Sequence, residues 1–353
     1  MKNIAILIPS LKPGGAEKQA TLLAKVLDKH CNVDLYLLHG EVDASPANLK
    51  ILEESNVRLH VLTGNMLSKL LQLKSFLCRN KTDILLNYLT SCDVVGAVIG
   101  MWVGVTRVYG GIRNERLEWW KIIMERFTHN SVSTGTIYNC YSGEEYFTSK
   151  GFVKKKNVVI PNCFPNISEP ITRKEREIKH IVTVGRFVPQ KDYKTMIRTI
   201  ACLRKLRNDF VLDIVGYGDE ESAIRGWVEE FGVADVVNIN INPKNVQDIV
   251  RASDIYLSTS LFEGTSNSIM EALNWSLPVV ATNVGDNNHL IKEGENGYLH
   301  DIADAESMAE SLSILLQSAE LRNEFGRNSN KNLRDNYSME IFEKRYLDLI
   351  NIV

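Results

Sequence analysis

The sequence predicts an α/β protein with two domains, each built on a parallel β-sheet. Its 353 residues exceed what a single hydrophobic core usually holds. Short runs rich in β-branched residues alternate with longer helical patterns, as in strands joined by crossover helices. The alternation is interrupted once, by a proline-rich and charged stretch near the middle of the chain, and then resumes. We therefore expect two Rossmann-like domains.

The first alternation defines an N-terminal domain over residues 1–165. Strands are expected at 4–9 (IAILIP), 33–38 (VDLYLL) and 82–89 (TDILLNYL), and a helix at 16–29. The segment TRVYGGIRN, residues 106–114, is expected to be a strand that ends in a loop at 110–114.

The second alternation defines a C-terminal domain over residues 178–335. Its expected strands are 180–185, 210–216, 236–241, 254–259 and 278–282. Residues 161–178, with Pro161, Pro165, Pro170 and a charged run, are expected to be the interdomain linker. The remaining residues, 336–353, are expected to form a helix that packs back on the N-terminal domain.

The composition is that of an ordinary globular protein, with 44% hydrophobic and 24% charged residues. Six cysteines occur without a C-x-x-C pair or a neighbouring histidine cluster, which argues against a disulfide framework or a zinc site and favours a reducing cytoplasm. The N-terminus is interpreted as a strand rather than a signal peptide. The longest apolar stretch, residues 94–106, is too short to cross a bilayer.

Charge is distributed unevenly between the two halves. Residues 1–165 hold 20 Lys and Arg against 14 Asp and Glu, and the remainder holds 21 against 29. In the basic half, residues 67–81 and 116–127 combine basic side chains with leucines or tryptophans at helical spacing. Each pattern fits a helix at a membrane surface, but either segment taken singly fits a helix packed on a sheet somewhat better. Taken together with the charge excess, they favour peripheral contact with an anionic membrane surface, and we expect a cytoplasmic location extending to the inner face of the cell membrane.

Ligands of open α/β sheets bind beyond the carboxyl ends of the strands, so the loops there are the candidate sites. After the first strand, Gly14 and Gly15 lead into a helix, where bare backbone can approach a ligand. A tight turn is the alternative. Gly216 and Gly218 form only an incomplete dinucleotide motif, because Glu221 stands where the third glycine belongs.

The loop after the strand at 180–185 contains two cations. Arg186 and Lys191 precede a helix whose first residue is expected to be Asp192. Two cations beside a helix N-terminus suit a phosphate group. Solvated surface charge is the alternative interpretation.

The loop after the strand at 254–259 holds FEGTSNSIMEAL, residues 262–273. Ser266 or Asn267 is expected to cap the next helix, which would place Glu271 one turn inside it. Carboxylates accept hydrogen bonds from hydroxyl pairs, so Glu263 and Glu271 could hold sugar hydroxyls while neighbouring N–H groups bind phosphate. Two surface glutamates flanking a cap are the alternative.

Several segments together resemble the group 1 (family 4) retaining glycosyltransferases. They are VGRFVPQKDY (184–193), FEGTSNSIMEAL (262–273), LPVVATNVGDN (277–287) and GENGYL (294–299). PGGAEK (13–18) is typical of one branch of that family, with a GGAE-type loop. The resemblance covers nearly the whole chain and implies the GT-B fold, two facing Rossmann-like domains with an interdomain cleft.

The resemblance also implies roles for individual residues. It assigns donor binding to Gly14, Gly15, Arg186, Lys191, Glu263, Gly264, Thr265, Ser266, Asn267 and Glu271. Within this set Arg186 and Lys191 would contact the donor diphosphate, Glu263 the donor sugar and Glu271 the ribose hydroxyls. Glu263, Arg186 and Lys191 are the expected catalytic residues.

The chain departs from the family pattern at three places. Where many relatives carry a histidine near the donor sugar, the nearest equivalent is Arg113, which cannot act as a base at neutral pH. Arg113 and Asn114 are therefore expected on the acceptor or sugar side. The usual Asn-Gly is Asn162-Cys163, and the usual Gly-Gly-x-x-Glu is residues 285–289, GDNNH.

The resulting hypothesis is a retaining glycosyltransferase, hexosyl or N-acetylhexosaminyl, with a nucleotide diphosphate donor, expected to be a UDP-sugar. The acceptor would be a lipid-linked or surface-polysaccharide glycan, as in lipopolysaccharide or capsule synthesis. No D-x-D triplet occurs, so no metal and no cofactor are expected, with cations and helix dipoles stabilising the leaving diphosphate. No nucleic acid partner is expected. A nucleotide-sugar epimerase of the same architecture and a non-catalytic sugar-nucleotide-binding protein are the rival hypotheses.

Overall fold

The structure is a computed structural model that describes residues 1–40, 44–113 and 116–351. The chain divides into two compact units. Unit 1 comprises Met1–Cys163 with Met339–Val353, and unit 2 comprises Phe164–Ser338. The chain thus changes unit at residues 163 and 338, rather than at the expected boundaries of 165 and 335.

Unit 1 contains seven strands and seven α-helices in its described part. The strands are β1 (Asn3–Ile8), β2 (Asn32–Leu37), β3 (Arg58–Val61), β4 (Ile84–Asn87), β5 (Arg107–Ile112), β6 (Gly135–Tyr138) and β7 (Asn157–Val159). The helices are α1 (Gly15–Asp28), α2 (Pro46–Glu53), α3 (Met66–Arg79), α4 (Thr90–Val103), α5 (Trp119–Phe127), α6 (Tyr141–Ser149) and, at the chain's end, α14 (Met339–Ile350).

All strand pairs of unit 1 are parallel, in the order β3-β2-β1-β4-β5-β6-β7. Side chains alternate between the two faces of a strand, so β1 supplies Ile4, Ile6 and Ile8 to one core and Ala5 and Leu7 to another. The first core includes side chains of α1 and α14, and the second includes side chains of α3 and α4. The sheet is therefore covered on both faces, as parallel sheets are.

Unit 2 contains six strands and seven α-helices. The strands are β8 (Lys179–Arg186), β9 (Phe210–Tyr217), β10 (Val237–Ile241), β11 (Ile255–Ser258), β12 (Val279–Thr282) and β13 (Gly297–His300). The helices are α7 (Tyr193–Leu206), α8 (Glu221–Glu230), α9 (Val246–Ala252), α10 (Asn267–Asn274), α11 (Asn287–Leu290), α12 (Ala305–Gln317) and α13 (Ala319–Tyr337).

The unit 2 sheet is also parallel throughout, in the order β10-β9-β8-β11-β12-β13. Two buried apolar clusters pack against it, one including side chains of α7 and α12 and the other side chains of α10 and α13. The two-domain α/β prediction is thus confirmed for the fold class.

Two expectations about local structure were wrong. Gly110 and Gly111 lie inside β5, paired with β6, rather than in a loop. Most of the expected linker lies on unit 2: the Ser168 and Ile171 amides donate to the side chains of Asn274 and Ser276. Because these amides are satisfied by unit 2 side chains, residues 164–178 form part of that unit.

Candidate active site

The topological switch point of the unit 2 sheet, here called its crossing point, lies between β8 and β11. From this point the strand order runs outward in both directions, so the loops that follow β8 and β11 leave the same sheet edge side by side. Such a switch point is where open α/β sheets bind ligands. The loop after β8 contains Lys191 and the loop after β11 contains Glu263, so the topology brings together two motifs that are far apart in sequence.

Glu263 forms a nearly enclosed ion pair with Lys191. The Lys191 Nζ atom lies 2.5 Å from Glu263 Oε1, and the Ser260 hydroxyl donates to the same oxygen at 2.8 Å. Glu263 is only 8% exposed. A buried carboxylate requires such compensation, because an unpaired charge is costly to bury. Two of the predicted catalytic residues therefore lie in direct contact. Ser260, which the sequence analysis did not single out, completes the pair.

Backbone contacts fix these two loops to each other. The Gln190 side-chain amide donates to the Phe262 carbonyl at 2.8 Å, and the Leu261 amide donates to the Gln190 carbonyl at 2.8 Å. The Thr259 hydroxyl donates to the Lys191 carbonyl at 2.9 Å. These hydrogen bonds hold the two loops in one arrangement, and so they keep the ion pair preorganised.

The start of α7 corrects one expectation. Asp192 is the N-cap rather than the first helical residue, and its carboxylate accepts from the Thr195 amide at 3.2 Å. A capped helix start has fewer free N–H groups, and the Asp192 charge opposes a second anion there. This helix end is therefore unsuited to phosphate. Arg186, at the exposed end of β8, forms no side-chain ion pair with any residue that the structure describes.

The start of α10 offers the free donors instead. Ser266 occupies the N-cap position, but its side chain makes no capping hydrogen bond, contrary to expectation. The first-turn N–H groups, beginning at Asn267, are consequently not satisfied by Ser266. Uncapped N–H groups at a helix start are suited to bind an anion such as phosphate.

Glu271 lies one turn inside α10, as the sequence predicted. Its carboxylate accepts from the Gln247 side-chain amide at 3.0 Å, and the Gln247 oxygen accepts from the Trp275 indole at 2.7 Å. This chain of hydrogen bonds orients the carboxylate. Gln247 lies on α9, 24 residues before Glu271 in sequence, so no local pattern pointed to it.

The loop after β12 packs against the loop that contains Glu263. Gly285 has a φ of +54°, and a Cβ atom there would lie 1.7 Å from the Glu263 carbonyl oxygen. The Thr265 hydroxyl donates to Asp286 at 3.1 Å, and the Asp286 amide donates to the Gly264 carbonyl at 3.3 Å. Only glycine fits at position 285, which explains this part of the family motif where the chain otherwise departs from it.

In unit 1 the corresponding crossing point lies between β1 and β4. Gly14 is the N-cap of α1, makes no side-chain cap and has an ordinary extended φ of −176°. A Cβ atom at Gly15 would meet nothing within 4 Å. Open space therefore lies beside Gly15 only, because a Cβ atom at Gly14 would lie 2.1 Å from Oε2 of the Glu17 carboxylate, which stands beside the uncapped helix start.

A cavity of about 360 Å³ lies at this edge of unit 1. Its lining residues come from the segments that follow β1, β4 and β5 and from α5: Pro9, Leu89, Thr90, Ser91, Ile112, Arg113, Leu117 and Lys121. Leu89 has a φ of +70°, which is rare for a branched side chain and marks a strained turn at the start of α4. No residue pattern around Leu89 indicates this turn.

Arg113 is the charged centre of the cavity wall. Its Nη2 atom donates to the Tyr346 hydroxyl at 3.1 Å, and its guanidinium carbon lies 4.2 Å from the centre of the Tyr88 ring. The buried Nε and Nη1 atoms have no acceptor within the described residues. Buried donors of this kind are normally satisfied, so this group is suited to receive an anionic or hydroxyl-rich ligand. Asn114, the other residue expected there, lies outside the described residues.

Two carboxyl groups are buried behind this cavity. Asp93 Oδ1 accepts from the Gly111 amide at 2.9 Å, and Asp93 and Glu125 share a side-chain hydrogen bond. Burial raises the pKa of Asp93 to about 7 and the pKa of Glu125 well above its usual range. At neutral pH the protonated Glu125 carboxyl group can therefore donate to Asp93, which is near the midpoint of its own titration.

The described part of the chain contains neither a cluster of metal ligands nor a helix that could cross a membrane. There, no three His, Cys, Asp or Glu side chains lie close enough together to bind a metal ion. Nor does any helix in that part have the length and apolar character needed to cross a membrane.

Comparison with known proteins connects this geometry to a family. Residues 166–332 match the family model described as glycosyl transferases group 1. An uncharacterized glycosyltransferase of Haemophilus influenzae is 30% identical over 169 residues, 47% of this chain and 48% of the relative. The lipopolysaccharide core biosynthesis glycosyltransferase LpsE of Rhizobium meliloti is 26% identical over 170 residues, 48% of this chain and 49% of the relative. The chain spans about half the length of these curated relatives.

The fold extends further than the sequence matches. The crystal structure of Anabaena Alr3699/HepE in complex with UDP superimposes with a TM-score of 0.80, covering 99% of this chain and 100% of that chain at 17% identity. At such identity the likeness establishes the fold. Residues 166–332 are therefore similar to the glycosyl transferases group 1 family, and over nearly its whole length the chain has the GT-B fold.

Proposed function

We propose that this protein is a retaining, metal-independent glycosyltransferase that moves a hexosyl or N-acetylhexosaminyl group from a UDP-sugar to a lipid-linked or surface-polysaccharide glycan. The observation that carries the proposal is the buried Lys191–Glu263 ion pair at the crossing point of unit 2, next to the uncapped start of α10. These features place a cation, a carboxylate and free N–H groups in the two loops that leave the same edge of the sheet.

In this proposal the donor lies along the carboxyl edge of unit 2. Its ribose hydroxyls donate to Glu271, whose orientation is set by Gln247. Its diphosphate accepts hydrogen bonds from the first-turn N–H groups of α10 and from Arg186. A hydrogen bond to a charged acceptor is worth about 1.5–3 kcal/mol, so the Glu271 contact alone would contribute much of the nucleotide affinity.

Lys191 and Glu263 act at the bond that breaks. The Lys191 ammonium group has three donors, and Glu263 occupies one of them, so the others can reach the leaving phosphate. Glu263 in turn accepts from a hydroxyl of the donor sugar. As the sugar becomes oxocarbenium-like, negative charge grows on the diphosphate, and preorganised cations stabilise it without further rearrangement. Front-face attack and a covalent intermediate are both compatible with this arrangement.

Binding of UDP by the Anabaena neighbour supports UDP as the nucleotide, and the role of the Rhizobium relative in lipopolysaccharide core synthesis supports a surface glycan as the acceptor. Within unit 1, the Arg113 and Lys121 side chains around the cavity favour an acceptor that carries phosphate or carboxylate groups.

The test is a panel of UDP-, GDP- and ADP-sugars, with NAD as a comparison, all in EDTA. The proposal expects one UDP-sugar to raise the melting temperature and to be hydrolysed slowly to the free sugar and UDP without metal. Conversion of the donor into an epimer would instead indicate the rival epimerase. Stabilisation by NAD alone, or by none of the panel, would contradict the proposal.

A further inference from the structure

We propose that unit 1 docks on an anionic lipid bilayer through the exposed side of α3, α4 and α5, here called the α3–α5 surface. The inference rests on the proposed function for its purpose, the capture of a lipid-linked acceptor, but its evidence is independent of any sugar chemistry. It extends the sequence-based expectation in two ways. The proposed surface includes α4, and the acidic residues of these helices, Asp93 and Glu125, are buried rather than exposed on it.

The apolar part of the surface is most pronounced on α5. Its exposed side chains are Trp119, Trp120, Ile123, Met124 and Phe127. At 100° per residue these positions fall within an arc of about 140° on one side of the helix. Trp119 is 74% exposed and Phe127 is 66% exposed, so this side of α5 is not covered by the rest of the chain.

The two neighbouring helices continue the patch. α3 packs against α4, and α4 packs against α5. Exposed on α4 are Val98, Met101 and Trp102, and exposed on α3 are Met66, Leu67 and Leu71. The Lys74 Nζ atom on α3 lies 3.7 Å from the centre of the Trp102 ring on α4, which joins the two helices at the surface. Contiguous exposed apolar patches of this kind mark interaction sites.

The charges of the three helices indicate which partner covers the patch. Their basic residues are Lys69, Lys74, Arg79, Lys121 and Arg126. Their acidic residues are Asp93 and Glu125, and both are buried, at 2% and 1% exposure. On α5 the Glu125 position lies opposite the apolar arc. Glu118, the N-cap of α5, is an exposed acid and forms an ion pair with Lys121 at 3.0 Å. The remaining exposed charge of the three helices is positive, and the Asp93 and Glu125 carboxyl groups that would oppose it are turned inward.

Tryptophans with basic residues at their edges are the composition of interfacial membrane surfaces. A juxtamembrane basic side chain gains about 1 kcal/mol from an anionic leaflet, so several act together. A second copy of the chain fits less well, because a two-fold interface would set the same lysines and arginines against each other. An anionic bilayer satisfies both the apolar arc and the positive charge.

The surface adjoins the acceptor cavity. Lys121 belongs to α5 and also lines the cavity with Arg113. A bilayer covering the apolar arc of α5 would lie next to the cavity opening, where an anionic headgroup carrying a glycan could reach Arg113. This explains why a protein without a described membrane-crossing helix would keep so many tryptophans exposed.

The experiment is sedimentation of the full chain with vesicles of phosphatidylcholine alone or with 30% phosphatidylglycerol, at 0.05 and 0.5 M NaCl. We expect binding to the anionic vesicles at low salt and at least tenfold weaker binding at high salt or to phosphatidylcholine. Trp119→Gln with Phe127→Gln, and separately Lys69→Glu with Lys74→Glu, should each weaken binding about tenfold or more. Leu206→Gln with Ile314→Gln, which changes exposed apolar residues of unit 2, is the matched control and should bind like the wild type.

UDP-sugar hydrolysis in solution is measured on the same proteins, because it does not require the membrane. Normal hydrolysis without vesicle binding would overturn the docking proposal alone, and vesicle binding without hydrolysis would overturn the proposed function alone. Equal binding to both vesicle types at both salt concentrations would overturn the anionic specificity. A dimer in solution that the α5 variants dissociate, with no vesicle binding, would assign the surface to a second copy instead.

Discussion

At the carboxyl edge of the unit 2 sheet, the buried Glu263 carboxylate is neutralised by Lys191, whose side chain is 19% exposed. At the same edge of unit 1, two buried nitrogen atoms of Arg113 have no acceptor among the described residues, and burial raises the pKa of two carboxyl groups nearby. The charges of the unit 2 pair are balanced before any ligand arrives, whereas the Arg113 charge of unit 1 has no carboxylate bonded to it among the described residues. The comparison suggests that unit 2 holds a fixed substrate, the nucleotide, and that unit 1 is completed by its acceptor.

The largest effect is expected from breaking the unit 2 pair. Lys191→Met leaves Glu263 buried without its counter-ion, so we expect about 3 kcal/mol less free energy of unfolding and at least about 100-fold slower sugar release. Urea unfolding and product chromatography measure the two. The double variant Lys191→Met with Glu263→Gln should recover most of the stability but none of the activity. A single variant that remains both stable and active would show that the pair is incidental.

A smaller effect separates binding from chemistry within unit 2. Glu271→Ala should weaken donor binding by roughly 10- to 150-fold, the loss of one charged hydrogen-bond acceptor. Arg186→Ala should mainly slow transfer, because its charge is most useful as the diphosphate leaves. Calorimetric titration with the donor and single-turnover rates distinguish these results. Negligible effects of both changes would overturn the assignment of this edge as the donor site.

The pH dependence of stability tests the unit 1 carboxyl pair. The Asp93 pKa is raised from 3.8 to about 7 in the folded protein, so the unfolded chain loses this proton first as pH rises. The free energy of unfolding therefore falls between about pH 4 and pH 7, by at most about 1.4 kcal/mol per pH unit for one proton. Asp93→Asn should reduce the loss between pH 5 and pH 7.5 by roughly 2 kcal/mol. Identical pH profiles for the variant and the wild type would mean that Asp93 is ionised in the fold.

The smallest effect on stability is expected at Arg113. Because part of its guanidinium lacks an acceptor within the part of the chain that the structure describes, Arg113→Met should change the free energy of unfolding by less than about 1 kcal/mol. The same variant should raise KM for the acceptor and leave UDP-sugar hydrolysis in solution unchanged. A stability loss as large as that of Lys191→Met would mean that the Arg113 charge is paired within the fold as fully as the Glu263 charge is.

The sequence predicted the local features of this fold well. The strands at 4–9, 180–185 and 210–216 are buried runs of β-branched residues, and each is found within about two residues of its expected position. The strand at Gly135–Tyr138 was missed because it has four residues and begins with glycine. The cap at Asp192 was placed one position too far inside the helix, since local pattern does not fix the exact start of a helix.

Which side chains meet was much harder to predict. The motif pointed to Lys191 and Glu263 separately, but their ion pair depends on the β8-β11 adjacency, which is a property of the whole sheet. Ser260 and Gln247 carry no signal of their own. Glu125 belongs to an amphipathic pattern in which an acid is normally solvated, and only the packing of α4 against α5 buries it. Hydrophobic periodicity does not encode which side chains of distant elements meet, or which polar side chains become buried.

The most direct test of the central claim is UDP-sugar hydrolysis in EDTA by the wild type and by the Lys191→Met, Glu263→Gln double variant, with the melting temperatures of both. We predict that the wild type releases sugar and that the double variant, melting within a few degrees of it, does not. Equal hydrolysis by the two proteins would place the chemistry elsewhere than at the crossing point of unit 2 and would contradict the account.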